Sequence, residues 1–256
     1  MCKEPLISII TVCFNNSKTI LDTIESVNSQ SYSNIEHIFI DGASNDNTVE
    51  IIKNSAKRNY IIISEKDNGI YHAMNKGLKV SKGEIIGFLN ADDLFFTNQT
   101  VDLIIKSFSS NIDCVYGNLL FFNSQNKVVR KWASREFKPG LFRYSWTPAH
   151  PTFYCKKIVY EKLGYYREDL SIASDVDLMF RFLEIHRIQS YYLNEKLIKM
   201  RLGGASTRSL KSTLTITKEV LRIFREHGFE YSKTVYVLSK VFKAIKQINS
   251  FGYFSR

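Results

Sequence analysis

The chain has 256 residues and a formal net charge of +10, with 44% hydrophobic and 23% charged residues. This composition is typical of a globular protein, and the length allows one complete hydrophobic core with an appendage. No apolar run approaches the roughly 20 residues that cross a bilayer, and no signal-peptide pattern opens the chain, so we expect a cytoplasmic protein.

Residues 1–93 alternate apolar, strand-like runs with helical segments. Strands are predicted at residues 6–13, 35–40, 60–64 and 84–89. This β-α order predicts an α/β fold with a Rossmann-like, mostly parallel sheet flanked by helices. Ligands of such sheets bind beyond the carboxyl ends of the strands. At or just beyond these ends lie Asp41, Asp67, Asp92 and Asp93. We therefore expect these carboxylates at one edge of the sheet.

The pattern changes after Asp93. Further strands are predicted at residues 115–122, 127–132 and 150–155, and an amphipathic helix at 175–186. Because regular alternation is missing, we expect these segments to add mixed strands to the first sheet. The predicted domain spans residues 1–206, with a first half at 1–93 and a second half at 94–206.

Residues 207–256 are predicted to form a basic, amphipathic helical tail at the C-terminus, with ten basic residues against three acidic ones. Lysines near an apolar helix face are typical of a segment that lies on an anionic membrane surface. Helices packed on the body with a solvated basic face explain the pattern equally well. Nucleic acid is not an expected partner, because no recognition motif accompanies the basic residues.

The adjacent carboxylates in Asn90-Ala91-Asp92-Asp93 carry the clearest chemical signal. Hard cations such as Mn²⁺ and Mg²⁺ prefer carboxylate oxygens together with phosphate and water, and they can neutralise a diphosphate leaving group. One carboxylate could hold the metal while its neighbour reaches a ribose. In isolation, a helix cap and a solvated aspartate would explain the pair better. The position after four β-α units favours the functional interpretation.

Five segments in order resemble glycosyltransferase family 2. They are residues 7–15, 41–46, 67–71 and 75–77 and the double aspartate, and the resemblance covers roughly residues 5–206. Members of this family are inverting enzymes with the GT-A fold that typically build bacterial surface polysaccharides, O-antigens or capsules. The resemblance implies a nucleotide diphosphate donor, by family frequency a UDP-sugar, and a saccharide acceptor that is often lipid-linked. It also implies a Mn²⁺ or Mg²⁺ cofactor and a location at the inner face of the cytoplasmic membrane.

The resemblance implies that residues 1–93 are a nucleotide-binding half and residues 94–206 an acceptor half, and it assigns roles to matching residues. The donor nucleotide is expected to contact Thr11, Phe14, Asn15, Asp41, Asp67, Asn75 and Asp92. Asp93 is the best match for the direct metal ligand. Two segments depart from the family pattern: one residue is added before Asp46, and Met74 replaces an arginine. A basic contact has therefore either moved to Lys76 or been lost.

The acceptor side rests on Ser174-Asp175-Val176-Asp177. This segment resembles the family's Glu-Asp sequence, whose acidic residue activates the acceptor hydroxyl. Asp175 matches that aspartate and is the predicted catalytic base, with Ser174 in place of the glutamate. In the alternative interpretation Ser174 caps the helix, and Asp175 and Asp177 only complement its dipole.

Two further residues are expected on the acceptor or diphosphate side. His150 lies in a stretch found in related members, and Arg201 precedes Gly203-Gly204 in a segment that could close over the diphosphate. A structural histidine and a surface arginine are the alternatives.

Two other functions use the same type of sheet. A sugar nucleotidyltransferase needs a Gly-rich loop with Arg or Lys after the first strand, where this chain has Phe14-Asn15-Asn16-Ser17. A dinucleotide-binding enzyme would have Gly-x-Gly-x-x-Gly there. An inactive nucleotide-sugar binding protein remains an alternative, and the presence of both Asp93 and Asp175 argues against it.

Overall fold

The computed structural model describes residues 4–123, 125–202 and 210–249. The elements of the first half are β1 (Ile7–Cys13), α1 (Ile20–Asn28), β2 (Ile35–Asp41), α2 (Thr48–Ser55), β3 (Asn59–Ser64), α3 (Ile70–Val80) and β4 (Ile85–Phe88). Those that follow are β5 (Leu94–Phe95), α4 (Thr100–Ser107), β6 (Cys114–Phe122), β7 (Val128–Trp132), β8 (Tyr154–Lys156), α5 (Lys157–Leu163), α6 (Ser174–Phe180), β9 (Ser190–Arg201), α7 (Leu210–Glu226) and α8 (Lys233–Asn249).

The first four strands form the parallel part of the sheet. β1 pairs in parallel with both β2 and β4, and β2 pairs in parallel with β3. β2 and β4 are buried throughout and β1 is nearly so, as expected for strands covered by helices on both faces. The predicted parallel sheet is confirmed, and the carboxyl ends of these strands share one edge.

The second half extends this sheet with mixed strands, as predicted. Across the described residues, the strands lie in the order β3-β2-β1-β4-β8-β6-β9-β5, with β7 paired to β6. β8 is antiparallel to β4 and β6, whereas β9 runs parallel to β6. β9 was not predicted because much of its sequence is polar and its side chains are mostly half-buried or exposed.

Two predicted elements of the second half differ in detail. The strand expected at 150–155 begins only at Tyr154, because residues 150–152 form a 3₁₀ turn that contains Pro151. The helix expected at 175–186 is α6 followed by a π-helical turn, Arg181–Ile185. Both differences leave the order of the segments unchanged.

α7 packs into the core of the body. Val220, Ile223 and Phe224 are buried in the same apolar cluster as residues of β4, β6 and α6. The rings of Phe224 and Phe180 lie 5.1 Å apart. The predicted boundary at residue 206 and the Gly203-Gly204 segment lie outside the described residues, but the first helix of the predicted tail shares the core of the preceding residues.

Among residues 4–123, 125–202 and 210–249, no helix is both long and apolar enough to cross a bilayer.

Candidate active site

The loops after β1 and β2 are bonded to each other at the carboxyl edge. Asn15 adopts a left-handed conformation with φ of 54°. Its N–H donates to Ser44 Oγ at 2.8 Å, and its side-chain Oδ1 accepts from the Asn45 N–H at 3.0 Å. These two bonds hold the first loop against the second, next to Asp41.

Asp41 shapes this edge from inside. Its side chain is fully buried, and its carboxylate accepts from the Ser44 N–H at 2.9 Å and from Ser64 Oγ at 2.7 Å. Direct contact with a nucleotide would require one of these bonds to give way. In this structure Asp41 fixes the loop, and its predicted contact with the donor stays a prediction.

Phe14 presents an exposed aromatic ring beside this loop. The residue is 62% exposed. A methyl group placed on Gly42 would lie 3.3 Å from Phe14 Cδ2 and 3.5 Å from Asp67 Oδ2. Phe14, Gly42 and Asp67 therefore line one wall, and an exposed ring there is suited to stacking on a base.

Asp67 is the centre of a charged cluster on this wall. Its Oδ1 lies 2.7 Å from Lys76 Nζ and 3.1 Å from His72 Nδ1. Lys76 also pairs with Glu65 at 2.8 Å. Lys76 is the residue to which, from the sequence, a basic contact could have moved. In the structure its ammonium group is shared between the carboxylates of Asp67 and Glu65. His72 was not identified from the sequence as a site residue. The only sequence signal for its contact with Asp67 is that it lies five residues after that aspartate.

Two predicted nucleotide contacts point into the protein. Thr11 is fully buried, with Oγ1 2.9 Å from His37 Nε2. Asn75 donates to the Tyr166 carbonyl and to Glu168, and its Oδ1 accepts from the Tyr166 N–H. Asn75 therefore joins α3 to the segment between α5 and α6. The roles of Thr11 and Asn75 toward the nucleotide stay predictions.

Asp93 combines burial with an oxygen that has no hydrogen-bond partner. Its Oδ2 accepts from Asn90 Nδ2 at 2.9 Å, while its buried Oδ1 has no partner among the described residues. Burial first, then the charge of Asp92, raises the pKa of Asp93 well above its usual range. A buried carboxylate whose pKa is raised, and which has an oxygen without a hydrogen-bond partner, fits a divalent cation.

The described residues provide only part of a metal shell. They contain no group of three or more His, Cys, Asp or Glu side chains arranged to hold an ion. Mg²⁺ and similar ions are commonly bound by one or two carboxylates, with substrate phosphates and water completing the shell. Asp93, with Asp92 beside it, fits that type of site.

Arg201, at the end of β9, lies beside Asp93. Its backbone N–H and its positive charge both favour the ionised form of the Asp93 carboxyl. Its guanidinium pairs with Asp22 at 2.9 Å and lies 5.0 Å from the centroid of the Phe122 ring, and its Nε is buried without a hydrogen-bond partner. Arg201 therefore lies next to Asp93, and its predicted contact with the diphosphate stays a prediction.

Asp175 lies in the first turn of α6 with its carboxylate partly buried. Its Oδ1 accepts from the Val176 N–H at 2.8 Å. Burial raises the pKa of Asp175 to about 6, opposed by backbone hydrogen bonds and assisted by the negative charge of Glu219. Near neutral pH this side chain is a carboxylate of increased basicity, as a general base requires.

Asp177, two residues on, has a different environment. It is fully buried and pairs with Arg181 Nε at 2.8 Å, with Arg167 at 3.7 Å. Arg181 also donates to the carbonyls of Leu163 and Tyr165. Asp177 thus ties α6 to the end of α5, which supports Asp175 over Asp177 as the base.

A buried aromatic cluster connects Asp175 to the sheet edge. Tyr71 donates its hydroxyl to the Ile172 carbonyl, and its ring stacks on Tyr166 at 5.9 Å. Burial and the charge of Asp175 both raise the pKa of Tyr71 and of Tyr166. Tyr166 also contacts Phe88, the last residue of β4, at 5.4 Å between ring centroids. Asp175 is therefore near the carboxyl edge.

His150 lies behind this cluster. The residue is 9% exposed, and its Nε2 lies 2.6 Å from the Tyr166 hydroxyl. Burial lowers the pKa of His150 to about 4, so the imidazole is neutral at physiological pH. Its predicted contact with acceptor or diphosphate stays a prediction, because its observed partner is Tyr166.

The chain was compared with known proteins. Residues 8–171 match the model of the family described as glycosyl transferase family 2. The chain belongs to this family. The matched range contains Asp41, Asp67, Asp92 and Asp93 but ends before Asp175, so the predicted base, β9 and α7 lie outside it.

Relatives carry the family name with different detail. An uncharacterized glycosyltransferase of Rickettsia typhi is 28% identical, over 80% of this chain and 66% of its own length. The UDP-Glc:alpha-D-GlcNAc-diphosphoundecaprenol beta-1,3-glucosyltransferase WfgD of Escherichia coli is 34% identical, over 50% of this chain and 51% of its own length. The chain thus spans about two thirds or less of these relatives.

Solved structures share the fold. S. aureus TarS 1–349 in complex with UDP superposes with a TM-score of 0.60 at 16% identity, over 86% of this chain and 65% of TarS. The mannosyltransferase PcManGT of Pyrobaculum calidifontis, in complex with GDP-Man and Mn²⁺, gives 0.64 at 15% identity, over 88% of this chain and 65% of its own. The predicted GT-A fold with C-terminal helices is confirmed.

Proposed function

We propose that this protein is a metal-dependent, inverting glycosyltransferase that moves a hexosyl or N-acetylhexosaminyl group from a UDP-sugar to an acceptor hydroxyl in polysaccharide, O-antigen or capsule biosynthesis. The observation that carries the proposal is a pair of carboxylates of raised pKa toward the carboxyl edge of the sheet. Asp93 has a buried oxygen without a partner, and Asp175 is a partly exposed base.

The residues divide the reaction between them. The Phe14–Asp67 wall receives the nucleotide, and Arg201 with the Asp92-Asp93 pair faces the diphosphate. Asp175 accepts the proton of the acceptor hydroxyl as its oxygen attacks the anomeric carbon. The bond from that carbon to the diphosphate oxygen breaks, and the nucleoside diphosphate leaves from the opposite side with inversion. A bound Mn²⁺ or Mg²⁺ would supply positive charge against the leaving diphosphate.

Activity measurements test this proposal. The full chain is incubated with a panel of nucleotide sugars and Mn²⁺, and nucleoside diphosphate release is followed with and without EDTA. We expect release to need the metal and to fall by at least 100-fold in both Asp93→Asn and Asp175→Asn. Release that is equal without metal and in both variants would refute the mechanism. Binding of donor without any release would identify a nucleotide-sugar binding protein instead.

A lipid-linked acceptor at a membrane surface is part of the proposal. The name of WfgD gives it a sugar-diphosphoundecaprenol substrate. In this chain, α8 turns an apolar face to solvent: Leu238 and Val241 are each 52% exposed and Phe242 is 69% exposed. An exposed row of large apolar side chains on one helix indicates an interaction surface.

Two lysines of α8, Lys240 and Lys243, point the other way. Lys240 Nζ donates to Thr217 Oγ1 at 2.7 Å, and Lys243 Nζ lies 4.4 Å from the centroid of the Trp132 ring. These two side chains therefore do not form the solvated basic face that the sequence suggested as the alternative. Lys246 and the residues after Asn249 lie outside the described side chains. The outward face of α8 supports peripheral contact with the inner face of the cytoplasmic membrane.

Sedimentation with vesicles tests this surface. We expect full-length protein to co-sediment with vesicles of phosphatidylglycerol and phosphatidylcholine, and the Leu238→Ser/Phe242→Ser variant to stay in solution. Leu21→Ser, on an exposed position of α1, is the matched control and should bind as the wild type does. If the double variant only dissociates a dimer, with no change in vesicle binding, the face joins two copies and the membrane role is wrong.

A further inference from the structure

Glu219 of α7 holds the segment that leads into α6. Its carboxylate accepts three successive backbone N–H groups: Ser171 at 2.8 Å, Ile172 at 3.1 Å and Ala173 at 2.9 Å. Hydrogen bonds to an ionised acceptor are roughly twice as strong as neutral ones. A single side chain, 46 residues or more away in the chain, thus fixes the backbone just before Ser174 and Asp175.

This contact fixes the chain immediately before α6. The residue before the helix, Ala173, has no side chain that can cap it, and no side-chain cap bond is made there. Glu219 instead accepts from the N–H groups of Ala173 and of the two residues before it, and the Tyr71 hydroxyl donates to the Ile172 carbonyl. The segment is held from α3 and from α7 at once.

α7 is itself firmly placed. Its apolar face is buried against α6, and at its end Glu226 pairs with Arg167 at 2.5 Å and with Arg222 at 2.6 Å. Arg222 and Arg167 both pair with Asp169. Because these contacts fix α7 relative to residues 167–169, the Glu219 carboxylate is presented from a rigid support.

We infer that Glu219 is a positioning residue for the catalytic base Asp175, and that α7 is therefore part of the catalytic unit. The inference rests on the proposed function, in which Asp175 accepts the proton. Glu219 sets the backbone from which the Asp175 carboxylate projects, and its negative charge acts on that carboxylate. A shift of about 1 Å in such a group can cost on the order of 100-fold in rate.

The charge of Glu219 provides a second measurable quantity, the pKa of Asp175. The groups that act on Asp175 from neighbouring elements are Tyr71 of α3, Tyr166 of the segment between α5 and α6, and Glu219 of α7. Of these three side chains, only Glu219 carries a carboxylate. Removing its charge should lower the pKa of Asp175, since a nearby like charge disfavours ionisation.

Two substitutions separate reach from charge. Glu219→Gln keeps the length of the side chain and loses its charge, so we expect the acid limb of the kcat profile to move down by roughly half a pH unit or more. Glu219→Asp keeps the charge and loses one methylene of reach, so we expect kcat to fall by about 10- to 100-fold without movement of that limb. In both variants KM for the donor should stay within about threefold.

Glu230→Gln is the matched control. It also removes one negative charge, just after the end of α7, from an exposed side chain. We expect its kcat and pH profile to match the wild type. Circular dichroism melts of all variants show whether each one is folded, and carbon-13 NMR titration of the Asp175 carboxyl reports its pKa without any substrate.

The outcomes separate this inference from the proposed function. If the wild type turns over donor, Asp175→Asn does not, and both Glu219 variants match the wild type, Glu219 has no positioning role. If the wild type is inactive with every donor, the proposed function fails. The NMR titration then still decides whether Glu219 acts on Asp175, and an unchanged Asp175 pKa in Glu219→Gln would refute that.

Discussion

Replacing the proposed base should make the protein more stable, with a dependence on pH that the structure specifies. Burial raises the pKa of Asp175 from 3.8 to about 6. The folded state therefore binds this proton more tightly than the unfolded chain does. Stability from this group is complete below about pH 3.8, declines as pH rises through 6, and is absent above it. Folding with Asp175 ionised has an energetic cost.

The size of that cost follows from the two pKa values. One pKa unit corresponds to about 1.4 kcal/mol, so ionised Asp175 destabilises the fold by at most about 3 kcal/mol, and partial exposure reduces this to about 1–3 kcal/mol. Asn cannot ionise and keeps an oxygen for the Val176 N–H. We expect Asp175→Asn to be inactive, yet more stable at pH 8 by about 1–3 kcal/mol, and equal to the wild type near pH 4.

Urea unfolding at pH 4 and pH 8 measures this difference. Asp177→Asn is the matched control, because it is also a buried aspartate on α6 but is paired with Arg181. Breaking that pair leaves the Arg181 charge without its partner and should destabilise the protein by about 3–5 kcal/mol at pH 8. If Asp175→Asn is no more stable than the wild type at pH 8, or if its advantage is the same at both pH values, the reasoning about Asp175 is wrong.

Three further predictions concern the donor side and the sheet. Asp93→Asn should weaken Mn²⁺ binding in the presence of UDP by at least 10-fold, measured by electron paramagnetic resonance, whereas Asp102→Asn on α4 should bind as the wild type does. Phe14→Ala should raise the dissociation constant of UDP about 10-fold in calorimetry, since base stacking is worth about 1–3 kcal/mol. Its melting temperature should equal that of the wild type. An unchanged affinity for UDP would exclude stacking of the base on Phe14. Gly87→Ala should lower the free energy of unfolding by about 3 kcal/mol or more, because the new Cβ would lie 2.1 Å from Tyr154 Cε1. A variant as stable as the wild type would contradict the pairing of β8 with β4.

The first half of the fold follows closely from the sequence. Apolar runs such as Ile7–Cys13 and Ile35–Asp41 are long enough and apolar enough to be buried on both faces, and their alternation with helices leaves a parallel sheet as the expected arrangement. The position of Asp41 and Asp93 relative to the carboxyl edge follows from that topology. The local pattern of apolar residues was therefore sufficient to predict this part of the sheet.

The environment of those aspartates did not follow from the sequence. Asp41 is surrounded by hydroxyls of Ser44 and Ser64, whereas Asp93 has an oxygen without a partner. Both are strand-end aspartates in the sequence, and nothing in their local pattern separates the two. The difference arises from which loops fold over each carboxylate.

The sequence by itself determined the parallel sheet, the carboxyl edge toward which the strand-end aspartates lie and the family, because each depends on residues near one another in the chain or on motifs in a fixed order. Only the tertiary structure decided that β9 joins the sheet, that Lys240 and Lys243 turn inward and that Glu219 holds the segment before Asp175. These contacts join residues far apart in the chain. Their partners are selected by packing and by the need of buried polar groups for hydrogen bonds, which local periodicity does not encode.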